Sequence, residues 1–257
     1  MYLGFDLKLD GDFFKASSVE RDKFEENQNL RVGKLEEYFL SADVIDAERV
    51  LNFLFPNSKS THVFLSHSHA DRDLAINFAV GLKRQFDLNV FVDSCVWGSS
   101  TSLLRSIDDK YCMQTSGSYN YNKRNQSTAH VYMILITALQ RMINECECLF
   151  FLNTDNALPL KKSIRAGEKT YSPWIHSELM FSSMVQRVRW ARPMFESANY
   201  NKSYATANDG FRLKVAHEAV LSHLNSMNDL RLSQWITKAR GDVGLDALDK
   251  LYEMFGA

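Results

Sequence analysis

The segment from Thr61 to Asp93 constrains this chain more than any other. His62-Val63-Phe64-Leu65 is a short apolar run that ends at Ser66, and a strand buried on both faces of a parallel sheet reads in this way. Leu74, Ala75, Phe78, Ala79, Leu82 and Phe86 then form one stripe of a helix over 71–86, with Ser68 or Asp71 as its cap. After Asp87-Leu88-Asn89, the run Val90-Phe91-Val92 predicts a second strand that ends at Asp93. Strand, helix and strand in this space make a βαβ unit. A right-handed crossover makes the two strands parallel and sets Ser66 and Asp93 on one rim. Open α/β sheets bind their ligands on that rim.

The rest of the chain extends this pattern. Cys148 to Leu152 predicts a third strand ending at Asn153, preceded by a helix over 129–146 with Val131, Leu135, Ala138, Leu139 and Met142 on one side. Residues 102–111 read as a helix, and Met113 to Ser127 as a polar, turn-rich loop or insertion. Thr154 to Ser172 is a polar stretch of a length that is usually functional or disordered. Trp174 to about Gln186 reads as a helix with Pro173 in its first turn, followed by a short fourth strand around Val188 and Trp190. From Phe211 onward the pattern predicts helices over 212–226, 229–240 and 244–255. Ahead of the βαβ unit, Leu35 to Phe55 suits one or two amphipathic helices broken near Ser41, and Pro56-Asn57-Ser58 mark a boundary. The expectation is an α/β domain over 59–195 with an insertion around 109–140, a helical N-terminal extension over 1–58 and a helical C-terminal extension over 196–257.

Composition narrows the function classes. With 11 glycines and 4 prolines in 257 residues, collagen-like and Pro/Gly-rich disordered classes are excluded and a helix-rich protein is favoured. Thirty basic residues against 31 acidic ones leave a net charge of −1, so no global field draws the chain to nucleic acid or to an anionic membrane, and neither is expected as a partner. The longest apolar stretch, Val131 to Leu139, is interrupted by Thr137 and falls far short of the roughly 20 residues of a membrane span. The N-terminus has no basic region leading into an apolar core, so no secretory signal is expected. Cys95, Cys112, Cys146 and Cys148 lack zinc-ligand spacing and read as reduced thiols of a cytoplasmic protein.

Two constellations carry candidate chemistry. Ser66-His67-Ser68-His69-Ala70-Asp71 contains H-x-H-x-D after an apolar strand, which resembles the opening of a metallo-β-lactamase-type hydrolase motif. That motif continues Asp-His, whereas Arg72 stands here and removes a ligand. The alternative is that His67 and His69 are loop residues at a sheet rim. The second constellation is Ser172-Pro173-Trp174-Ile175-His176-Ser177-Glu178-Leu179, where Trp174 and Glu178 share a helix face. An indole stacks on a flat heterocycle, and a carboxylate holds ribose hydroxyls and stabilises an oxocarbenium-like transition state. From spacing alone, a half-buried Trp beside a solvated Glu on an amphipathic helix is the favoured reading, because such pairs are common.

In their order along the chain these segments resemble a TIR (Toll/interleukin-1 receptor) domain. His62-Val63-Phe64-Leu65-Ser66-His67 resembles the family's first strand, and Ala70-Asp71 the acidic start of its first helix. Val90-Phe91-Val92-Asp93 resembles the second strand, Val96 to Ser100 stands at the BB loop, and Ser102 to Ile107 resembles the helix after it. Leu149 to Asn153 resembles the central strand, and the Trp174/Glu178 block resembles the Ser-x-Trp-x-x-x-Glu-Leu segment of enzymatic TIR domains. The likeness covers about residues 60–195. It departs from the family in the long stretch from about Asp109 to Gln140 and in a BB position that reads Trp97-Gly98-Ser99-Ser100.

The resemblance implies a flavodoxin-like parallel sheet with helices on both faces and cleavage of the nicotinamide–ribose bond of NAD⁺. It implies Glu178 as the catalytic carboxylate. Trp174, Ser66, His67, Asp93 and Trp97 would be the substrate-binding residues. NAD⁺ is then the substrate, with no cofactor and no metal. The product is ADP-ribose or a cyclic ADP-ribose isomer, a signal that acts on a downstream effector in antiphage systems such as Thoeris. Self-association through TIR domains is implied as well. A non-catalytic TIR scaffold acting by homotypic association is the competing reading, and the metallohydrolase is the third.

Overall fold

The computed structural model describes residues 1–26, 46, 48, 49, 61–92, 104–159, 168–185 and 215–256. In chain order its named elements begin with strands β1 (Leu3–Lys8) and β2 (Val63–Ser66), helix α1 (Arg72–Phe86) and strand β3 (Val90–Val92). Helix α2 (Tyr121–Glu145), strand β4 (Cys148–Leu152), strand β5 (Lys169–Thr170) and helix α3 (Pro173–Met184) follow. Strands β6 (His217–Glu218) and β7 (Asn225–Asn228) lead to helices α4 (Asp229–Lys238) and α5 (Gly244–Glu253). Residues 18–26 and 104–111 are also helical.

Among the described residues, five strands form one sheet in the order β3-β2-β4-β1-β7, and every pairing in it is parallel. The βαβ unit forms as read, with Val63, Phe64 and Leu65 opposite Val90, Phe91 and Val92. The strand beside β4, however, comes from the start of the chain. In Leu3-Gly4-Phe5-Asp6-Leu7-Lys8, apolar and non-apolar residues alternate with the period of a strand. Leu3, Phe5 and Leu7 join the core on one sheet face, which leaves Gly4, Asp6 and Lys8 on the other. The segment expected as a helical N-terminal extension thus opens with a strand held on both sides, by β4 and by β7. Expected helices over Leu35 to Phe55 fall mostly outside the described residues, as does the strand expected around Val188 and Trp190.

The C-terminal third departs similarly. The helix expected over 212–226 is replaced, among the described residues, by β6 and β7, whereas α4 and α5 form where the amphipathic pattern put them. Strand β6 pairs antiparallel with β5 in a separate two-stranded ribbon. The polar stretch expected as a loop to Ser127 gives way to helix at Tyr121, where the Asn120 side chain accepts from the Lys123 N–H at 3.1 Å. Its polarity reflects exposure: the first turns of α2 carry almost no buried residue.

Helices cover both faces of the sheet. On one, α1, α4 and α5 enclose a core in which Phe86 stacks on Trp235 (ring centroids 4.4 Å) and Phe150 lies between Phe5 and Phe78 (4.9 and 5.7 Å). Each such side chain contributes about 1.5–3 kcal/mol on leaving water. The indole N–H of Trp235 donates to the Ala247 carbonyl at 2.7 Å, so its burial leaves no orphan donor. On the other face, α2, α3 and the helical stretch 104–111 pack on Phe64, Phe91, Leu149 and Phe151. The architecture is α/β, with a five-stranded parallel sheet between two helical layers. No helix of the described residues is long and apolar enough to cross a membrane.

Candidate functional site

Because the sheet is wholly parallel, all its strands end on one rim. Ser66 closes β2 there, and Asn153 follows β4. Register aligns Ser66 with Phe151, Phe151 with Asp6, and Asp6 with Ser226, a row across four strands on the face that α2 and α3 cover. Above this row lies α3. It starts sharply because Ser172 accepts from the Ile175 N–H at 3.2 Å and Pro173 stands in the first turn.

Glu178 is fully buried, and its Oε2 accepts a hydrogen bond of 2.5 Å from the Ser66 hydroxyl, across 112 residues of chain. A carboxylate out of water costs stability unless hydrogen-bonded, so this contact fixes both the position of the group and which oxygen faces the strand end. Trp174, one turn earlier, is half-buried, with its ring 5.6 Å from that of Tyr132 on α2. Helix α3 is anchored further along. His176 Nδ1 lies 2.7 Å from the Glu218 carbonyl, its ring stacks on His217 at 4.9 Å, and Ser182 Oγ pairs with His223 Nε2 at 2.8 Å. Residues 217–223 therefore hold the helix that carries Glu178.

Ser66 and Glu178 are brought into direct contact. His67 is buried beside them at the strand exit, with Nδ1 3.4 Å from the Leu65 carbonyl. Asp93 and Trp97 lie outside the described residues. The H-x-H-x-D side chains diverge in environment: His69 is exposed, while buried Asp71 accepts from Thr154 Oγ at 2.5 Å and from Asn156 Nδ2 at 2.7 Å. Asp71 so ties the exit of β2 to the exit of β4. Arg72 pairs with Glu25 at 3.0 Å. Among the described residues, no three His, Cys, Asp or Glu side chains gather where one ion could be held.

The structure also shows rim residues that the sequence reading did not single out. Asp6 is buried, accepts from Asn153 Nδ2 at 2.6 Å, and pairs with Lys8 Nζ at 3.1 Å. The signal for Asp6 was present in the two-residue alternation of 3–8, which marks a strand with a carboxylate near its C-terminal end. No family model matches this chain, and no match was found among curated proteins or among solved structures.

Proposed function

We propose that this chain is a TIR-type enzyme that cleaves the nicotinamide–ribose bond of NAD⁺, with Glu178 as its catalytic carboxylate. The observation that carries this reading is the Ser66–Glu178 hydrogen bond. It joins the first-strand motif to the Ser-x-Trp-x-x-x-Glu-Leu motif, the two segments in which the resemblance puts the substrate site. The strand order supports the reading too. In β3-β2-β4, the three strands of the resemblance run 2-1-3, as at one side of a flavodoxin-like sheet. The next position is taken by β1, a strand that lies outside the segments of the resemblance.

The chemistry asks little of the protein beyond this. The C1′–N bond breaks with its electron pair going to the pyridinium nitrogen, so nicotinamide leaves neutral and needs no proton. The ribose is left as an oxocarbenium-like centre, whose charge an oriented carboxylate stabilises. Ser66 holds Glu178 in one orientation, which is the preorganisation such stabilisation requires. Trp174 walls the site on the same helix. Water adding at C1′, with loss of a proton, gives ADP-ribose, and attack by a group of the same molecule gives a cyclic isomer.

The test is incubation of the full chain with NAD⁺, dilute and under self-association, with chromatography for nicotinamide and mass spectrometry and NMR for the second product. Nicotinamide release should fall by about a hundredfold or more in Glu178→Gln, the scale of losing a major electrostatic stabiliser. Release that survives this substitution would overturn the assignment of Glu178. Absence of turnover in every condition would instead favour the scaffold acting by homotypic association.

A further inference from the structure

Beyond Glu178, the same sheet face carries a second buried polar group for which the cleavage step has no use. Asp6 and Asn153 are 7% and 6% exposed. The Asn153 backbone is fixed by its N–H to the Leu7 carbonyl (2.9 Å), and its side-chain Nδ2 donates to Asp6 Oδ1. This last bond settles which way the amide points, because a flipped amide would set its oxygen against a carboxylate. Asn153 Oδ1 is thereby the end of the amide turned away from Asp6 Oδ1; it is buried and accepts no hydrogen bond among the described residues. A buried acceptor in that state is costly, and it marks a place where a donor belongs. Asp6 adds further acceptor lone pairs, with the half-exposed Lys8 paired to its Oδ2. The cluster so offers two acceptors side by side, the arrangement that a vicinal diol satisfies with its two hydroxyl donors.

Its place in the sheet says which diol. Asp6 and Ser66 are two strands apart with Phe151 between them, about 10 Å at the usual strand spacing. We propose that Asp6 and Asn153 bind the hydroxyls of the second, adenosine-side ribose of a dinucleotide whose nicotinamide-side ribose lies at Glu178, and so select NAD⁺ over its 2′-phosphorylated form. This rests on the NAD⁺ reading above. The selection follows from donor and acceptor matching: a 2′-phosphate presents acceptor oxygens to two acceptors, one of them a carboxylate.

Calorimetric titration of the full chain with ADP-ribose and with its 2′-phosphate separates this inference from the cleavage reaction, since neither probe contains the bond to be cleaved. The wild-type chain should bind ADP-ribose at least about tenfold more tightly than the 2′-phosphate. Asn153→Ala and Asp6→Asn should each weaken ADP-ribose binding about tenfold or more, the scale of one hydrogen bond to a buried acceptor, and should narrow the preference. Where NAD⁺ is turned over, the same substitutions should raise KM and leave kcat within about twofold, because the reacting bond is remote. Should Asp6→Asn not fold, as judged by its circular dichroism and thermal transition, Asn153→Ala and Asn153→Ser carry the test. No binding of ADP-ribose by the wild-type chain, or folded variants with unchanged affinity and preference, would overturn the subsite. ADP-ribose binding with this pattern but without nicotinamide release would leave the subsite standing and overturn only the cleavage reading.

Discussion

At the scale of single residues, the Ser66–Glu178 contact sets stability against chemistry. Ser66→Ala takes away the hydroxyl that donates to a fully buried carboxylate and should lower unfolding stability in urea by about 1–3 kcal/mol. Replacing both partners by apolar groups, as in Ser66→Ala/Glu178→Leu, should restore much of that loss and abolish turnover, because it leaves no buried polar group unsatisfied. A double variant as unstable as Ser66→Ala would refute this account of the contact. The thiols of Cys146 and Cys148 are a case in which burial dominates. Desolvation pushes both up in pKa, Cys146 most strongly by loss of water and Cys148 likewise, so neither presents a thiolate near neutrality. Iodoacetamide at pH 8 should label neither in the native chain and both in urea, as read by peptide mass spectrometry. The Trp174–Glu178 spacing was legible in the sequence because a helix brings residues four apart together by local geometry alone. That Glu178 meets Ser66, and that Asp6 meets Asn153 across 147 residues, depends on strand order, which no local pattern encodes.

At the scale of elements, α1 shows how a strand-following segment shapes a helix. Gly81 lies mid-helix, where glycine is about 1 kcal/mol worse than alanine. A Cβ there would stand 2.1 Å from Cγ of Phe14, at the root of a ring that packs against Phe78. Pushing that ring aside costs about 1–3 kcal/mol, so Gly81→Ala should lower the midpoint of thermal unfolding despite its better helix propensity. In a Phe14→Ala background the same substitution should become stabilising. A stabilising effect of Gly81→Ala in the wild-type chain would show that the contact yields freely. The stripe of α1 was readable from spacing, yet the reason for its glycine was not, since the ring that requires it lies 67 positions earlier in the chain. The β2 and β4 exits are tied in the same long-range way by Asp71, Thr154 and Asn156. An acidic residue two positions after His69 reads locally as a possible ligand, and the fold employs it as a bracket.

At the scale of the whole molecule, the two chain ends belong to the sheet and not to appendages. Strand β1 lies between β4 and β7, so removing it would part β7 from the sheet and uncover the backbone edge of β4. Removing the C-terminal third would take α4 and α5 from the core face where Trp235 and Tyr252 are fully buried, and would free α3 from residues 217–223. The βαβ unit was legible because its contacts are local. The place of β1 was not, although its alternation was, because a strand's partners follow from which hydrophobic edges remain after the rest has folded. A fragment of residues 59–195, which holds every segment of the TIR resemblance, carries three of the five strands. It should show helical far-ultraviolet circular dichroism without a fixed near-ultraviolet spectrum and unfold in urea without the sharp transition expected of the full chain. A fragment that unfolds cooperatively, with a near-ultraviolet spectrum of its own, would show that the ends are dispensable for the core. The same fragment, lacking Asp6, should not bind ADP-ribose even if it retains compact structure, because one half of the proposed dinucleotide site would have left with β1.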